Sequence, residues 1–200
     1  DMEQPLGRAV GHTLEVIEAI ETLKGNGPPG FKDLTFSLGA LALARAGKCQ
    51  GVYEGMKILD ELITSGKALD KMREIIVAQG GDARVIDDYS LMPQAKLKFD
   101  VIVPGTGQKW VEHLDGFQIA EACKVMGAGR SKKDDSINLA VGVVLKGKIG
   151  TMIEGGQSIA TVHADSEASG KKAVDIVTKA FKYSDMPVAV PAVIKARVGS

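Results

Sequence analysis

The 200-residue sequence predicts an α/β protein in two parts, a mostly helical block over residues 1–95 and an α+β block over residues 96–200. Three observations carry this. Apolar residues recur every three or four positions in the first block, and the period shortens to two at Lys96. The charge balance changes sign at the same place. Residues 1–95 hold 10 Lys and Arg against 14 Asp and Glu, and residues 96–200 hold 15 against 11.

In the first block, Leu14, Ile17, Ile20 and Leu23 share a helical stripe, with Glu15, Glu18 and Glu21 off it. Gly25 stops this helix, and Gly25 to Gly30 is a turn-rich connector. Leu34, Leu38, Leu41 and Arg45 predict a second helix, rich in small residues that suit close packing. A third spans Val52 to Ser65, with Met56, Leu59 and Ile63 on one face and Gly66 as its stop. A fourth covers Leu69 to Gln79, carrying Met72, Ile75 and Ile76 and ending at Gly80-Gly81. Asp82 to Gln94 reads as irregular, with Pro93 near the boundary.

In the second block, Leu97, Phe99, Val101 and Val103 alternate with Lys98, Asp100 and Ile102, the mark of a half-buried strand. Pro104 to Gly107 is a turn and Lys109 to Val111 a short return strand. A helix from Phe117 to Met126 ends at Gly127-Ala128-Gly129. Strands are expected at Ile137 to Leu145, Lys148 to Met152, Ser158 to His163 and Val188 to Val198. Between the last two, Ser166 to Phe181 suits a helix with Ala173, Ile176, Val177 and Ala180 inward. Tight turns needing positive φ account for 24 glycines, well above the usual share of about 7%.

Composition removes several classes of function. Charges cancel at 25 against 25, so no overall field draws the chain to nucleic acid or anionic lipid. No run of about eighteen apolar residues is present to span a membrane, and no secretory pattern opens the chain. Cys49 and Cys123 are too few for a disulfide scaffold and read as packed small groups within helices. A hydrophobic fraction of 44% with 25% charged residues fits a folded cytoplasmic protein.

The common catalytic patterns are missing. His12, His113 and His163 lack metal-ligand spacing and read as surface or capping residues. Arg130-Ser131-Lys132-Lys133 is followed at once by Asp134-Asp135, which favours a solvated turn over a phosphate site. Gly127 to Arg130 suits either an anion loop or a helix stop. Lys146 to Val162 resembles the paired hairpins of lipoyl and biotinyl carrier modules, yet Lys146 and Lys148 lack the flanking methionines of a modified lysine. A non-catalytic carrier or binding module is therefore the alternative from a different class.

The N-terminal segment is more specific. Asp1-Met2-Glu3-Gln4-Pro5-Leu6-Gly7-Arg8-Ala9-Val10-Gly11-His12-Thr13-Leu14-Glu15-Val16-Ile17-Glu18-Ala19 resembles the DMxQPLGxAVGNALEVxEAI segment of pyrimidine-nucleoside and thymidine phosphorylases. The likeness continues through Leu23-Lys24-Gly25, Ala78-Gln79-Gly80-Gly81-Asp82, Leu91-Met92-Pro93-Gln94-Ala95 and Met126-Gly127-Ala128-Gly129-Arg130, in the family's order.

The resemblance implies that residues 1–95 are the C-terminal part of a central α/β domain. Residues 96–200 would be an α+β hammerhead or barrel-sandwich-like domain. The implied activity is reversible phosphorolysis of uridine or thymidine, with phosphate as co-substrate. A related enzyme acting on nucleoside monophosphates is a further possibility.

Family members are about twice this length, with phosphate loop and pyrimidine-gripping residues upstream of this segment, so no catalytic or substrate-binding residue is expected here. The implied partners are the N-terminal half of the same enzyme and a second copy in a homodimer, with no nucleic acid or membrane. One family site maps onto the chain, a potassium ion held by the carbonyls of Leu6 and Ala9 and the carboxylate of Glu18. Where the family has Asn-Ala, this sequence has His12-Thr13. His is a poorer helix cap than Asn, and Glu15 stands where it can reach back.

Overall fold

The computed structural model describes residues 1–130 and 132–198. They form two compact units, Ile17–Leu91 and the pairing of Asp1–Val16 with the chain from Met92 onward. Among the described residues no helix is long and apolar enough to cross a membrane.

The helical unit begins within α1 (His12–Leu23) and continues through α2 (Pro29–Arg45), α3 (Val52–Thr64) and α4 (Lys67–Ala78). Two 3-10 turns, Ala83–Ile86 and Tyr89–Leu91, complete it, where the sequence reads as irregular. The helices lie where their apolar spacing predicts. Their ends share one chemistry: after α1, Asn26 N–H donates to Glu21 O at 2.8 Å and Gly25 N–H to Thr22 O at 3.0 Å, with Gly25 at φ +94°. That paired closure satisfies orphan carbonyls of the last turn, and α2 and α4 end the same way at Gly47 and Gly80.

Helices α2 and α3 pack through small residues. A Cβ on Gly55 would stand 2.8 Å from the Cα of Ala40, so the helix backbones meet closely. Cys49, expected in a helix, lies in the bend between α2 and α3, because Gly47 has already ended α2.

The α+β unit contains two antiparallel sheets. The larger has the order β1-β4-β6-β2, from β1 (Ala9–Val10), β2 (Leu97–Ile102), β4 (Gly142–Leu145) and β6 (Ser158–Ala164). The smaller, β5-β3-β7, joins β3 (Gln108–Leu114), β5 (Met152–Glu154) and β7 (Phe181–Ser184). Helices α5 (Gly116–Val125) and α6 (Glu167–Ala180) pack on one another, capped by Asp115 and Ser166 through Gln118 N–H and Ser169 N–H. The core joins Val101, Val111, Ile119, Val143, Ile159, Val162 and Val177. The observed class is α+β.

Three strand expectations are corrected. Ile137 to Leu145 is a strand only from Gly142, because its first half spends its backbone elsewhere: Asn138 N–H on Gly127 O, Leu139 O on Thr13 N–H and Ala140 N–H on the Asn138 side chain. Lys148 to Met152 is a turn closed by Thr151 N–H on Lys148 O, and the strand starts at Met152. Val188 to Val198 forms no strand among the described residues. Pro187 and Pro191 lack the donors a ladder needs, and Val190 lies instead over Gly150.

The glycine excess also has a second cause besides turns. A Cβ on Gly142 would fall 2.3 Å from Val10 O, and one on Gly170 would fall 2.2 Å from the Phe99 ring.

Candidate functional site

The N-terminal segment is held at several points of the α+β unit. Gly116 N–H donates to Glu3 O at 2.8 Å, Ile149 N–H to the Gln4 side chain at 3.1 Å, and Leu145 N–H to Arg8 O at 2.8 Å. Ala9 and Val10 then pair with Val144 and Val143 as an edge strand. The intervening Leu6-Gly7 loop therefore hangs between fixed ends, with Gly7 buried and Leu6 exposed.

The Leu6 carbonyl points toward a cation. It accepts a hydrogen bond from Lys148 Nζ at 2.8 Å. Ala9 lies in β1, half-buried. Glu18, also half-buried, lies on α1, and its carbonyl accepts the Thr22 hydroxyl at 2.7 Å. Among the described residues no three His, Cys, Asp or Glu side chains come together as a metal-holding group. An alkali cation, which takes backbone oxygens readily, does not require such a group.

Helix α1 starts at His12 with Gly11 as its cap residue. The Glu15 carboxylate reaches back to Gly11 N–H at 2.9 Å, one residue earlier than a cap at His12 would require. The imidazole is thereby released for another bond, and His12 Nε2–H donates to Ala128 O at 2.8 Å.

That bond lies in a cleft of about 280 Å³ lined by Val10, His12, Glu15, Cys123, Lys124 and Gly129. Gly127 and Ala128 form the helix stop. Gly127, at φ +98°, and Ala128 turn their N–H groups onto Lys124 O and Cys123 O, which leaves neither amide for a phosphate. Residue 131 of the basic run lies outside the described residues.

Cys123 Sγ donates to Val10 O at 3.3 Å, and burial, then the charge of Glu15, pushes its thiol up to about 12. Such a thiol is not a nucleophile. His113 stands on β3 and His163 on β6. Burial and then Lys98 hold His163 below the usual imidazole value, so it is neutral near pH 7.

Lys146 Nζ is bonded to Asp100 at 2.9 Å and Ser158 at 2.7 Å, a place on the sheet rather than at the tip of a free hairpin. Hydrogen bonds from Ser158, Lys146 and Thr161 lower the Asp100 carboxyl to about 2. No sequence pattern marks this cluster, because Asp100, Lys146, Ser158 and Thr161 meet only through the β2–β6 pairing and the end of β4.

Residues 110–184, from β3 to β7, match the family described as the pyrimidine nucleoside phosphorylase C-terminal domain. The pyrimidine-nucleoside phosphorylase of Staphylococcus aureus (strain USA300) is 42% identical over 184 residues, 92% of this chain and 41% of that protein. The enzyme of the same name from Bacillus subtilis (strain 168) is 41% identical over 167 residues, 84% of this chain and 38% of that protein. The chain thus spans about two fifths of the length of these curated relatives. The N-terminal signature and the matched β3–β7 region point the same way: over most of its length the chain is similar to pyrimidine-nucleoside phosphorylases, and residues 110–184 match the C-terminal domain of that family.

Proposed function

We propose that these residues serve in a pyrimidine-nucleoside phosphorylase, a pentosyltransferase that splits uridine or thymidine with phosphate. Phosphate oxygen bonds to C1′ as the C1′–N1 bond breaks, the base takes up a proton, and ribose or deoxyribose 1-phosphate leaves with free pyrimidine. The observation that carries this is the 42% identity to a protein of that name over 92% of the chain. The transition state gathers positive charge at C1′, so a nearby phosphate anion and donors to the departing base both lower the barrier. The groups that supply them belong to a region outside these residues, and no catalytic or substrate-binding residue is assigned here.

In this reading residues 1–95 belong to the enzyme's central α/β domain and residues 96–200 to a hammerhead or barrel-sandwich-like C-terminal domain. The complete protein works in the cytoplasm as a homodimer built through its N-terminal half, with neither nucleic acid nor membrane as partner.

Leu6 and Ala9, through their carbonyls, and Glu18, through its carboxylate, would hold a potassium ion. The donors fit on chemistry: all three supply hard oxygen, and a monovalent ammonium, that of Lys148, rests on the Leu6 carbonyl at 2.8 Å. When bound, the ion supplies positive charge beside the phosphate. The β1–β4 pairing fixes the chain direction at Ala9, and the Gly116 and Ile149 bonds fix the loop carrying Leu6.

The test is uracil release from uridine by the complete enzyme carrying this chain. We expect release only with phosphate present, and none from the 200 residues alone. An enzyme with its phosphate-binding region intact that leaves uridine and thymidine uncleaved would overturn the proposal.

A further inference from the structure

The Lys148 ammonium on the Leu6 carbonyl joins residues 142 positions apart in the chain, and both ends of that contact are built. Lys148 sits in the Gly147 to Thr151 turn. Its own N–H bonds Thr151 Oγ1 at 3.0 Å and its carbonyl accepts Thr151 N–H at 2.9 Å. Gly150 N–H is tied to Val111 O at 2.9 Å, and Ile149 N–H to the Gln4 side chain. Gln4 Nε2 in turn donates to Asp1 at 3.2 Å. A Cβ on Gly147 would lie 2.6 Å from Ile159, so the turn is pressed onto the core. The lysine stem thus starts from a fixed point, one residue from the Ile149–Gln4 bond that also fixes the Leu6 loop.

We propose that Lys148 is a positioning residue for the cation site, an internal ammonium that competes with potassium for the Leu6 carbonyl. The proposal rests on the potassium reading above. The two cations carry equal charge and both seek carbonyl oxygen. With Lys148 in place, the Leu6 carbonyl stays directed outward and its dipole is matched when the ion is absent. A potassium ion arriving there must share or displace that bond and meets a like charge beside it. Lys148 therefore sets the potassium concentration at which the site fills, without touching nucleoside or phosphate.

The test uses the complete enzyme and its Lys148→Met and Lys148→Arg variants. Thermal unfolding midpoints are followed against potassium chloride, with choline chloride holding ionic strength constant. Met keeps the alkyl stem, and the backbone bonds that shape the turn do not depend on the side chain. We expect half-saturation at about two- to fivefold lower potassium in Lys148→Met, the size of one exposed charge interaction, and near-wild-type behaviour in Lys148→Arg. An unchanged or raised half-saturation in Lys148→Met, with a wild-type enzyme that responds to potassium, overturns the Lys148 proposal alone. A wild-type enzyme whose midpoint ignores both potassium and rubidium removes the cation site itself, and this proposal with it.

Discussion

Val101, Ile119, Val143, Ile159 and Val177 of the α+β unit are wholly shielded from solvent, while the helical unit's fully shielded apolar side chains among the described residues are Ile20, Ala40 and Ile86. Leu38, Tyr53 and Val77 of the helical unit stand 59%, 75% and 62% exposed. The α+β unit has both faces of its apolar pattern in use, two sheets and two helices closing on one core. The helical unit relies on close α2–α3 contacts, Gly55 against Ala40 and Gly39 against Leu59, and on surface pairs such as Arg73 with Asp87, at 2.7 and 2.8 Å. Exposed pairs of that kind are screened by solvent and add little. An apolar stripe in a sequence therefore marks a face without saying how fully it is covered.

The largest expected effect separates the two units directly. Ile159→Ala should cost about 2–5 kcal/mol in urea unfolding, whereas Leu38→Ala should stay within about 0.5 kcal/mol. Equal losses would mean that the helical unit has a core of its own.

Gly55→Ala comes next. Its added methyl meets the Ala40 backbone at 2.8 Å, so the helices must separate, at a cost of about 1–3 kcal/mol. A neutral result, read by the same unfolding curve, would show that α2 and α3 slide past one another freely.

The smallest effect concerns pH. Asp100 is held at about 2 when folded, below the ordinary carboxylate value of about 3.9, first by Ser158 and then by Lys146 and Thr161. Its contribution is therefore present above pH ~4 and is lost as pH falls toward 2. Because the group is 54% exposed, the loss is at most about 1 kcal/mol, and Asp100→Asn should remove that part of the pH dependence. A variant with the same acid profile as the parent would remove Asp100 from the balance.

The same contrast explains what could be read from the sequence. Helices α1 to α4 were legible because each pairs a three-and-four spacing with a glycine that closes its last turn, and β2 because Leu97 to Val103 alternates strictly. Residues 137–141 misled because Asn138 draws its neighbours' backbone groups to side-chain and loop partners. Strand β1 was invisible, since two residues show no period and Ala9-Val10 is a strand only by pairing with β4. The family signature was local and therefore readable. The Lys148–Leu6 bond was not, because it depends on where a distant turn lands.

Phosphorolysis and simple hydrolysis both release uracil, so the decisive measurement follows the sugar. Phosphorus NMR of the complete enzyme with uridine and phosphate should show ribose 1-phosphate rising in equal amount with uracil. Uracil appearing beside free ribose, with the phosphate signal unchanged, would contradict the assignment.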